Sequence, residues 1–355
     1  MTKSWNVGWG FTRLCNLHCK HCYNASGKRG TDEISLKEAK EVVDTLVSNN
    51  VRTINYGTGE CGLVPEFWEL AEYAWSKGLV QGITTNGSSV SKKTIHLVKK
   101  YFNDVDVSID FPNERDHNIF RGHPNSWKWA MEALSLLQEQ LIPFSIVTCI
   151  HSQNSSEDIL DQFLALSKTY DCDWRINWFR PTGRGRENES LKLDPLKAHD
   201  IFRYLIKNAD VVALPDPYFA ALLQLHIRQH CPCGKDSFRI TPTGKVVPCV
   251  YFTQEMDNIS IVGSQFQQVV QSSPFRDMAE RKVPFCADCE HGTICGGGCA
   301  SRAFLEYGAL HMPDPFCYKK AGLQENPLKG LAYTYKPGKL KVHENYLCTA
   351  IFKAR

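Results

Sequence analysis

The sequence predicts an α/β protein: a parallel sheet of six strands with helices between them, then a small cysteine-rich α+β region. Three observations predict it. Strand-like and helix-like stretches alternate from residue 5 to residue 179. A polar, glycine-bearing stretch, PTGRGRENESLKLD, follows at 181–194. From residue 231 onward the pattern changes to short strands, turns and cysteines.

Residues 5–11 alternate loosely and carry two Trp, as a strand does. Ser35 and Glu38 make a capping box, and Leu36, Ala39, Val43 and Leu46 form one apolar stripe, so 35–49 is a helix. VRTINY at 51–56 is a strand ending in a glycine-rich turn, GTGE. A helix at 66–77 leads to a strand at 79–84 ending in TTNG, and a helix at 91–102 to the strand DVDVSID at 104–110. Helices at 125–140 and 155–169 flank the strand PFSIVTCIH at 143–151, and DWRINWF at 173–179 is the sixth strand. Six strands with five intervening helices imply right-handed crossovers. At these spacings a doubly wound sheet and a curled partial barrel both fit.

Residues 181–194 read as a linker, with helical stretches near 195–208 and 217–228. The tail is mixed and basic and reads as little more than strands. The expected organisation is a barrel or sheet over 1–180, linker and bridging helices over 181–230, a cysteine-rich domain over 231–320 and a tail over 321–355.

The chain has 355 residues and a net charge of 41 − 38 = +3. That balance gives no electrostatic case for a nucleic-acid or membrane-surface partner, and neither is expected. No uncharged apolar run approaches ~18 residues, which excludes a membrane-spanning helix. The start, MTKSWNVGWG, lacks the apolar stretch of a secretory signal, so a cytoplasmic location is expected. In that compartment thiols stay reduced, and clustered cysteines are more often metal ligands than disulfides. There are 15 cysteines, nine of them in the last 125 residues.

Cys15, Cys19 and Cys22 (CNLHCKHC) fall in the loop after the first strand, at the sheet edge where α/β folds put their sites. Three thiolates can hold a [4Fe–4S] cube and leave one iron open to another ligand. A structural zinc ion needs a fourth ligand, which His18 or His21 could supply only at poor spacing. Further along are Cys231, Cys233 and Cys249, then Cys286, Cys289, Cys295 and Cys299 in CADCEHGTICGGGC, then Cys317. Paired zinc ribbons are the competing interpretation there. Cys61, Cys149, Cys172 and Cys348 stand alone.

CNLHCKHCY, with Tyr23 after the third cysteine, resembles the radical SAM superfamily. Gly57, Gly59 and Glu60 of GTGE are similar to that family's turn facing the amino group of S-adenosylmethionine (SAM). TTNG at 84–87 and VSID at 107–110, with Ser108 and Asp110, stand at its next strand ends. Cys61 departs from the proline common after the glutamate. The resemblance covers roughly residues 5–180 and implies a partial (β/α)6 barrel. CADCEHGTICGGGC, with Gly244 four residues short of Cys249, resembles the SPASM extension of such enzymes and its two auxiliary [4Fe–4S] clusters. By that resemblance Cys286, Cys289, Cys295 and Cys317 hold one cluster. Cys249 and Cys299 join the upstream cysteines, Cys231, Cys233 or both, to hold the other.

Alternation supports a polar interior. Asp106, Ser108 and Asp110 lie opposite Val105, Val107 and Ile109. Ser145, Cys149 and His151 lie opposite Phe144, Ile146 and Ile150, and Arg175 and Asn177 opposite Trp174, Ile176 and Trp178. Each polar residue is also readable as a satisfied core group. Arg121 and Gly122 (FRG), and Pro181 to Arg184, are further candidates for lining a pocket.

The resemblance implies a flavodoxin- or ferredoxin-type electron donor, cleavage of SAM to a 5′-deoxyadenosyl radical, and hydrogen abstraction from a substrate. A ribosomally made peptide is the first expectation. A sugar, cyclitol or nucleoside is the alternative, since strands begin at residue 5 and leave no N-terminal peptide-recognition domain. Sulfatase-maturing relatives carry an acidic residue where this chain has Val250, which argues against serine or cysteine oxidation. Cys149 is a candidate hydrogen-atom donor or a small core thiol. A non-enzymatic zinc or iron–sulfur module is disfavoured, because a carrier needs neither an open iron nor a SAM turn.

Overall fold

The computed structural model describes residues 4–225, 231–252, 259–338, 340–343 and 349–355. Cys348 and the end of the expected 217–228 helix lie outside the described residues.

In chain order the elements are β1 (Trp5–Trp9), α1 (Leu36–Ser48), β2 (Val51–Tyr56), α2 (Pro65–Ser76), β3 (Val80–Thr85), α3 (Ile95–Tyr101) and β4 (Asp104–Ser108). Then come α4 (Glu114–Arg121), α5 (Ser126–Glu139), β5 (Phe144–Ile150), α6 (Glu157–Thr169) and β6 (Asp173–Trp178). Beyond these lie α7 (Pro195–Asn208), β7 (Ala209–Ala213), α8 (Pro217–Leu222), β8 (Ser237–Ile240), β9 (Lys245–Val247) and β10 (Ile259–Ser260). The chain closes with α9 (Phe266–Val270), α10 (Ser273–Ala279), α11 (Gly292–Cys295), α12 (Ala300–Tyr307) and β11 (Ala350–Ala354).

The capping box at Ser35 forms as expected, with Ser35 Oγ accepting from Glu38 N and Glu38 Oε2 accepting from Ser35 N. One helix went unforeseen. α4 is short and polar, and it stands with α5 between β4 and β5, so six helices, not five, join the six strands.

β1 to β6 lie side by side in chain order and are all parallel. A doubly wound sheet reverses its order at a switch point. An unreversed order with right-handed crossovers puts every helix on one face and leaves the other to line an interior. That decides for the curled partial barrel. The register carries the polar alternation across it: Thr84 pairs with Asp106, Ser108 with Val147, and Cys149 with Asn177.

The sheet runs past the barrel. β8 adds to β1 in parallel, followed by β9 and β10, and on the far side β11 pairs antiparallel with both β6 and β7. The cysteine-rich region and the tail therefore extend the same sheet.

The tail also closes the barrel floor. Lys341 N and Val342 N donate to Asp104 Oδ2 at 2.6 and 2.9 Å, and His343 is bonded to Asp104 through Nδ1 and to Asn55 Oδ1 (2.9 Å) through Nε2. Gly82 has no room for a side chain, since a Cβ would lie 2.9 Å from the His343 ring. Above this floor Asp106 pairs with Arg175 and accepts from Ser145. Buried charges need such partners.

Candidate active site

The loop after β1 carries Cys15, Cys19 and Cys22, and it is pinned from several sides. Cys15 N donates to Gly27 O (2.8 Å), His18 N to Arg121 O (3.1 Å) and Lys20 N to Phe120 O (3.0 Å). Arg184 clamps it from outside, giving Nη1 to Cys19 O and Nη2 to Ser26 O at 3.0 and 2.8 Å. The Pro181–Arg184 segment thus braces this loop and does not line the main cavity.

Donors surround the three sulfurs. Leu17 N and Asn86 Nδ2 approach Cys15 Sγ at 3.5 and 3.8 Å, and Ser26 N approaches Cys22 Sγ at 3.3 Å. Burial, reinforced by Glu60, pushes the Cys15 thiol up to about 11, and burial pushes Cys19 to about 12. Such thiols are neutral alone and ionise when a metal centre takes the proton's place. Among the described residues no three His, Cys, Asp or Glu side chains converge tightly enough for a single metal ion. A four-iron cube has no such requirement, because each thiolate meets its own iron. The donor set therefore fits an iron–sulfur cluster better than zinc.

Behind the loop lies a cavity lined largely by polar side chains. Tyr23, Gly57, Ser108, Asp110, Arg121 and Cys149 all reach it. Tyr23 Oη is hydrogen-bonded to Thr58 Oγ1 at 2.8 Å. Asp110 accepts from Arg121 Nε (2.8 Å) and Cys149 N (2.9 Å). Burial pushes its carboxyl up, but Arg121 and His21 outweigh that and hold it well below the usual carboxylate range.

Glu60 serves a different end. Its carboxylate turns away from the cavity and accepts from Thr85, Ser89 and Asn86 N, tying the β2 turn to the β3 turn. Gly59 is forced by geometry: its φ is +63°, and a Cβ would lie 2.4 Å from Leu14 O and 2.6 Å from Thr12 O. Thr58 has φ +97°, rare for a β-branched residue, where the family-like turn tolerates strain.

Asn55, Thr84, Arg180, Arg239 and Tyr251 also line the cavity and were not foreseen. Asn55 and Thr84 were within reach of the alternation argument applied to β2 and β3. Arg239 stood out as a charge within the apolar run FRI. Arg180 and Tyr251 gave no local signal.

Two further thiol groups lie in the C-terminal region. Cys231, Cys233, Cys249 and Cys299 pack into one buried cluster with Phe252 and Met278. Cys286, Cys289, Cys295 and Cys317 line a separate, small pocket with Asp314 and Tyr218. Burial, then Cys317 and Cys289, push the Cys286 thiol up to about 11. The segments are locked by Arg302, which bridges Asp216 and Asp314 at 2.7 and 2.6 Å, while Asp314 Oδ2 accepts from Cys299 N. Cys172, at the opposite end of the barrel, and Cys61 are buried core thiols.

A thiol triplet at the mouth of a partial (β/α)6 barrel, with a second thiol-rich region beside it, defines a radical SAM architecture. The sequence matches the radical SAM superfamily over residues 9–163 and an iron–sulfur cluster-binding (SPASM) domain over residues 231–290. The mycofactocin maturase MftC of Mycolicibacterium smegmatis is 30% identical over 329 residues, covering 88% of this chain and 82% of that one. The AdoMet-dependent heme synthase of Methanosarcina barkeri is 25% identical over 344 residues, covering 89% and 97%. Streptococcus suis SuiB bound to precursor peptide SuiA shares the fold, with a TM-score of 0.67 at 13% identity over 88% of this chain and 75% of that one. The chain belongs to the radical SAM superfamily. It is an enzyme of the SPASM subgroup, and its cofactors are iron–sulfur clusters and SAM. Among the described residues no helix is long and apolar enough to cross a membrane.

Proposed function

We propose that this enzyme matures a ribosomally made peptide, using Cys15, Cys19 and Cys22 to hold the SAM-binding [4Fe–4S] cluster and the two C-terminal thiol groups to hold one auxiliary [4Fe–4S] cluster each. The observation that carries it is the loop of the thiol triplet bordering, through His21 and Tyr23, a cavity whose far wall reaches a second thiol group through Arg180. When bound, the first cluster and SAM supply reductive cleavage to methionine and a 5′-deoxyadenosyl radical, which takes a substrate hydrogen atom. The chain's own residues position and enclose. Gly57 and Gly59 let the backbone approach SAM, and Tyr23, fixed by Thr58, covers one side. Ser108 and the Asp110–Arg121 pair supply polar contacts held rigid by burial. Trp178, Val147 and Tyr251 exclude water. A flavodoxin- or ferredoxin-type protein supplies the electron.

The peptide reading draws on the likeness to MftC and to the fold of SuiB. The likeness to the heme synthase favours a second reading, a small-molecule substrate. Mass comparison of peptides and metabolites from cells with and without this chain separates the two. Reconstituted anaerobically, the protein is expected to hold about 12 irons, four per cluster. Replacing Cys15, Cys19 and Cys22 together by Ala should leave about eight and abolish SAM cleavage with the fold intact. Stoichiometric zinc in place of iron would overturn the reading.

A further inference from the structure

Five buried arginines stand in this region: Arg239 donates to Gly57 O, and three of the others have acid partners. Arg121 pairs with Asp110, Arg175 with Asp106, and Arg302 with Asp216 and Asp314. Arg180 is just as buried, at 3% exposure, yet among the described residues no carboxylate pairs with it. Its Nη2 donates to Cys299 Sγ at 3.2 Å and its Nη1 to Trp178 O at 2.9 Å, while Nε is buried without a partner. The guanidinium lies 4.3 Å from the centre of the Tyr251 ring, which in turn meets Tyr23 edge-on at 5.8 Å. Tyr23, Tyr251 and Arg180 thus run along the cavity wall from the first thiol loop to Cys299.

A buried cation is stable only beside negative charge, and here the group offered to it is a sulfur. Hydrogen bonds to cluster sulfurs and local net charge set the potential of an iron–sulfur centre. Reduction adds one electron and one negative charge, and no bond forms or breaks. In a low-dielectric site a neighbouring guanidinium favours the reduced form strongly. Among the described residues no arginine is hydrogen-bonded to the sulfurs of Cys286, Cys289, Cys295 or Cys317, where Arg281 and Lys319 act on Cys286 and backbone N–H groups of Lys319 and Lys320 on Cys317.

We propose that Arg180 raises the reduction potential of the auxiliary cluster held by the Cys299 group, making it the stronger electron acceptor of the two and the one joined to the substrate cavity. Arg180 acts here as a positioning residue, through Cys299. The inference rests on the reading of Cys231, Cys233, Cys249 and Cys299 as cluster ligands.

The test uses the full chain with Cys15, Cys19 and Cys22 replaced by Ala, so that only auxiliary clusters titrate. Reduction is followed by electron paramagnetic resonance at controlled potential, with iron counted in each sample. In this background C299A should lose one signal; if it keeps both signals and all its iron, the ligand reading itself fails. With that reading intact, R180Q should retain iron and move one signal to lower potential. The expected shift is at least tenfold in the reduction equilibrium, 59 mV for one electron, with the other signal unmoved. Unchanged potentials in an iron-replete R180Q would overturn the proposal. Where Gln costs iron, R180M decides, because it removes the charge and the donor and keeps an apolar side chain of similar length. A potential below wild type supports the proposal, and a wild-type potential in iron-replete R180M overturns it.

Discussion

Cys149 lies on β5 with its backbone N–H fixed to Asp110 Oδ1 at 2.9 Å and its side chain in the cavity wall. Burial, and then the Asp110 charge, keep its thiol protonated far above neutral pH. A neutral S–H beside the cavity is what hydrogen-atom return to a substrate radical requires. The donor leaves a thiyl radical, which an electron and a proton restore, and the substrate outcome is redox-neutral. The expected result in deuterated water is product carrying one solvent deuterium. Cys149→Ala should still cleave SAM but yield no stereoinverted product. Normal turnover by Cys149→Ala would exclude the role and leave net oxidation through the auxiliary clusters. Sequence alternation put Cys149 on the polar face but could not tell a cavity thiol from a core one. That difference depends on what Tyr251 and Arg180, distant in sequence, leave open.

At the scale of elements, the turn after β2 governs the thiol loop. Glu60 N donates to Leu14 O at 2.7 Å, and Gly59 presses against the carbonyls of Thr12 and Leu14. Those obstacles are backbone, so Gly59→Ala must move one loop or the other. The positive φ adds strain on the order of 1–3 kcal/mol. If that cost falls on the SAM-binding conformation, affinity should drop roughly 5- to 150-fold, with iron content kept. Equilibrium binding of SAM to the reconstituted variant measures this, and wild-type affinity would show that the turn is not part of the SAM site. The turn was legible because glycine spacing and a strand end coincide in a short stretch. Glu60 was legible as a member of that turn but not in its task. Its partners, Thr85, Asn86 and Ser89, belong to the next strand end, and only the folded register brings them together. α4 was missed because it is eight residues long and mostly polar, so it presents no apolar stripe to read.

At the scale of the whole molecule, the alternation of elements was legible throughout the first half, because each unit has its own local period. The unreversed strand order was not, since crossover direction depends on nothing within a unit. The two four-cysteine groupings interleave along the chain. The tail was legible only as strand-like, which β11 is; its partners were not, and His343 meets Asp104 across 239 residues.

The barrel also hides histidines whose titration acts on the whole fold. His117 and His151 are fully buried, and each Nδ1 already accepts a backbone N–H, from Asp110 at 3.3 Å and Gln153 at 3.1 Å. Protonation would destroy those bonds and bury a charge. Burial above all, with Arg121 acting on His117, lowers both from 6.5 to about 3. The unfolded chain therefore binds more protons than the folded one below pH 6.5. The stability from keeping these rings neutral is complete above that value and is lost progressively as pH falls towards 3. Each ring should contribute about 1.4 kcal/mol per pH unit in that window. Urea denaturation between pH 7.5 and 5.5, with iron followed in the same samples, measures the slope. Asn can reproduce the Nδ1 acceptor without titrating. His151→Asn should therefore flatten the slope below pH 6.5 by about that amount. An unchanged slope would mean that the ring is charged in the folded protein or remains neutral in the unfolded one.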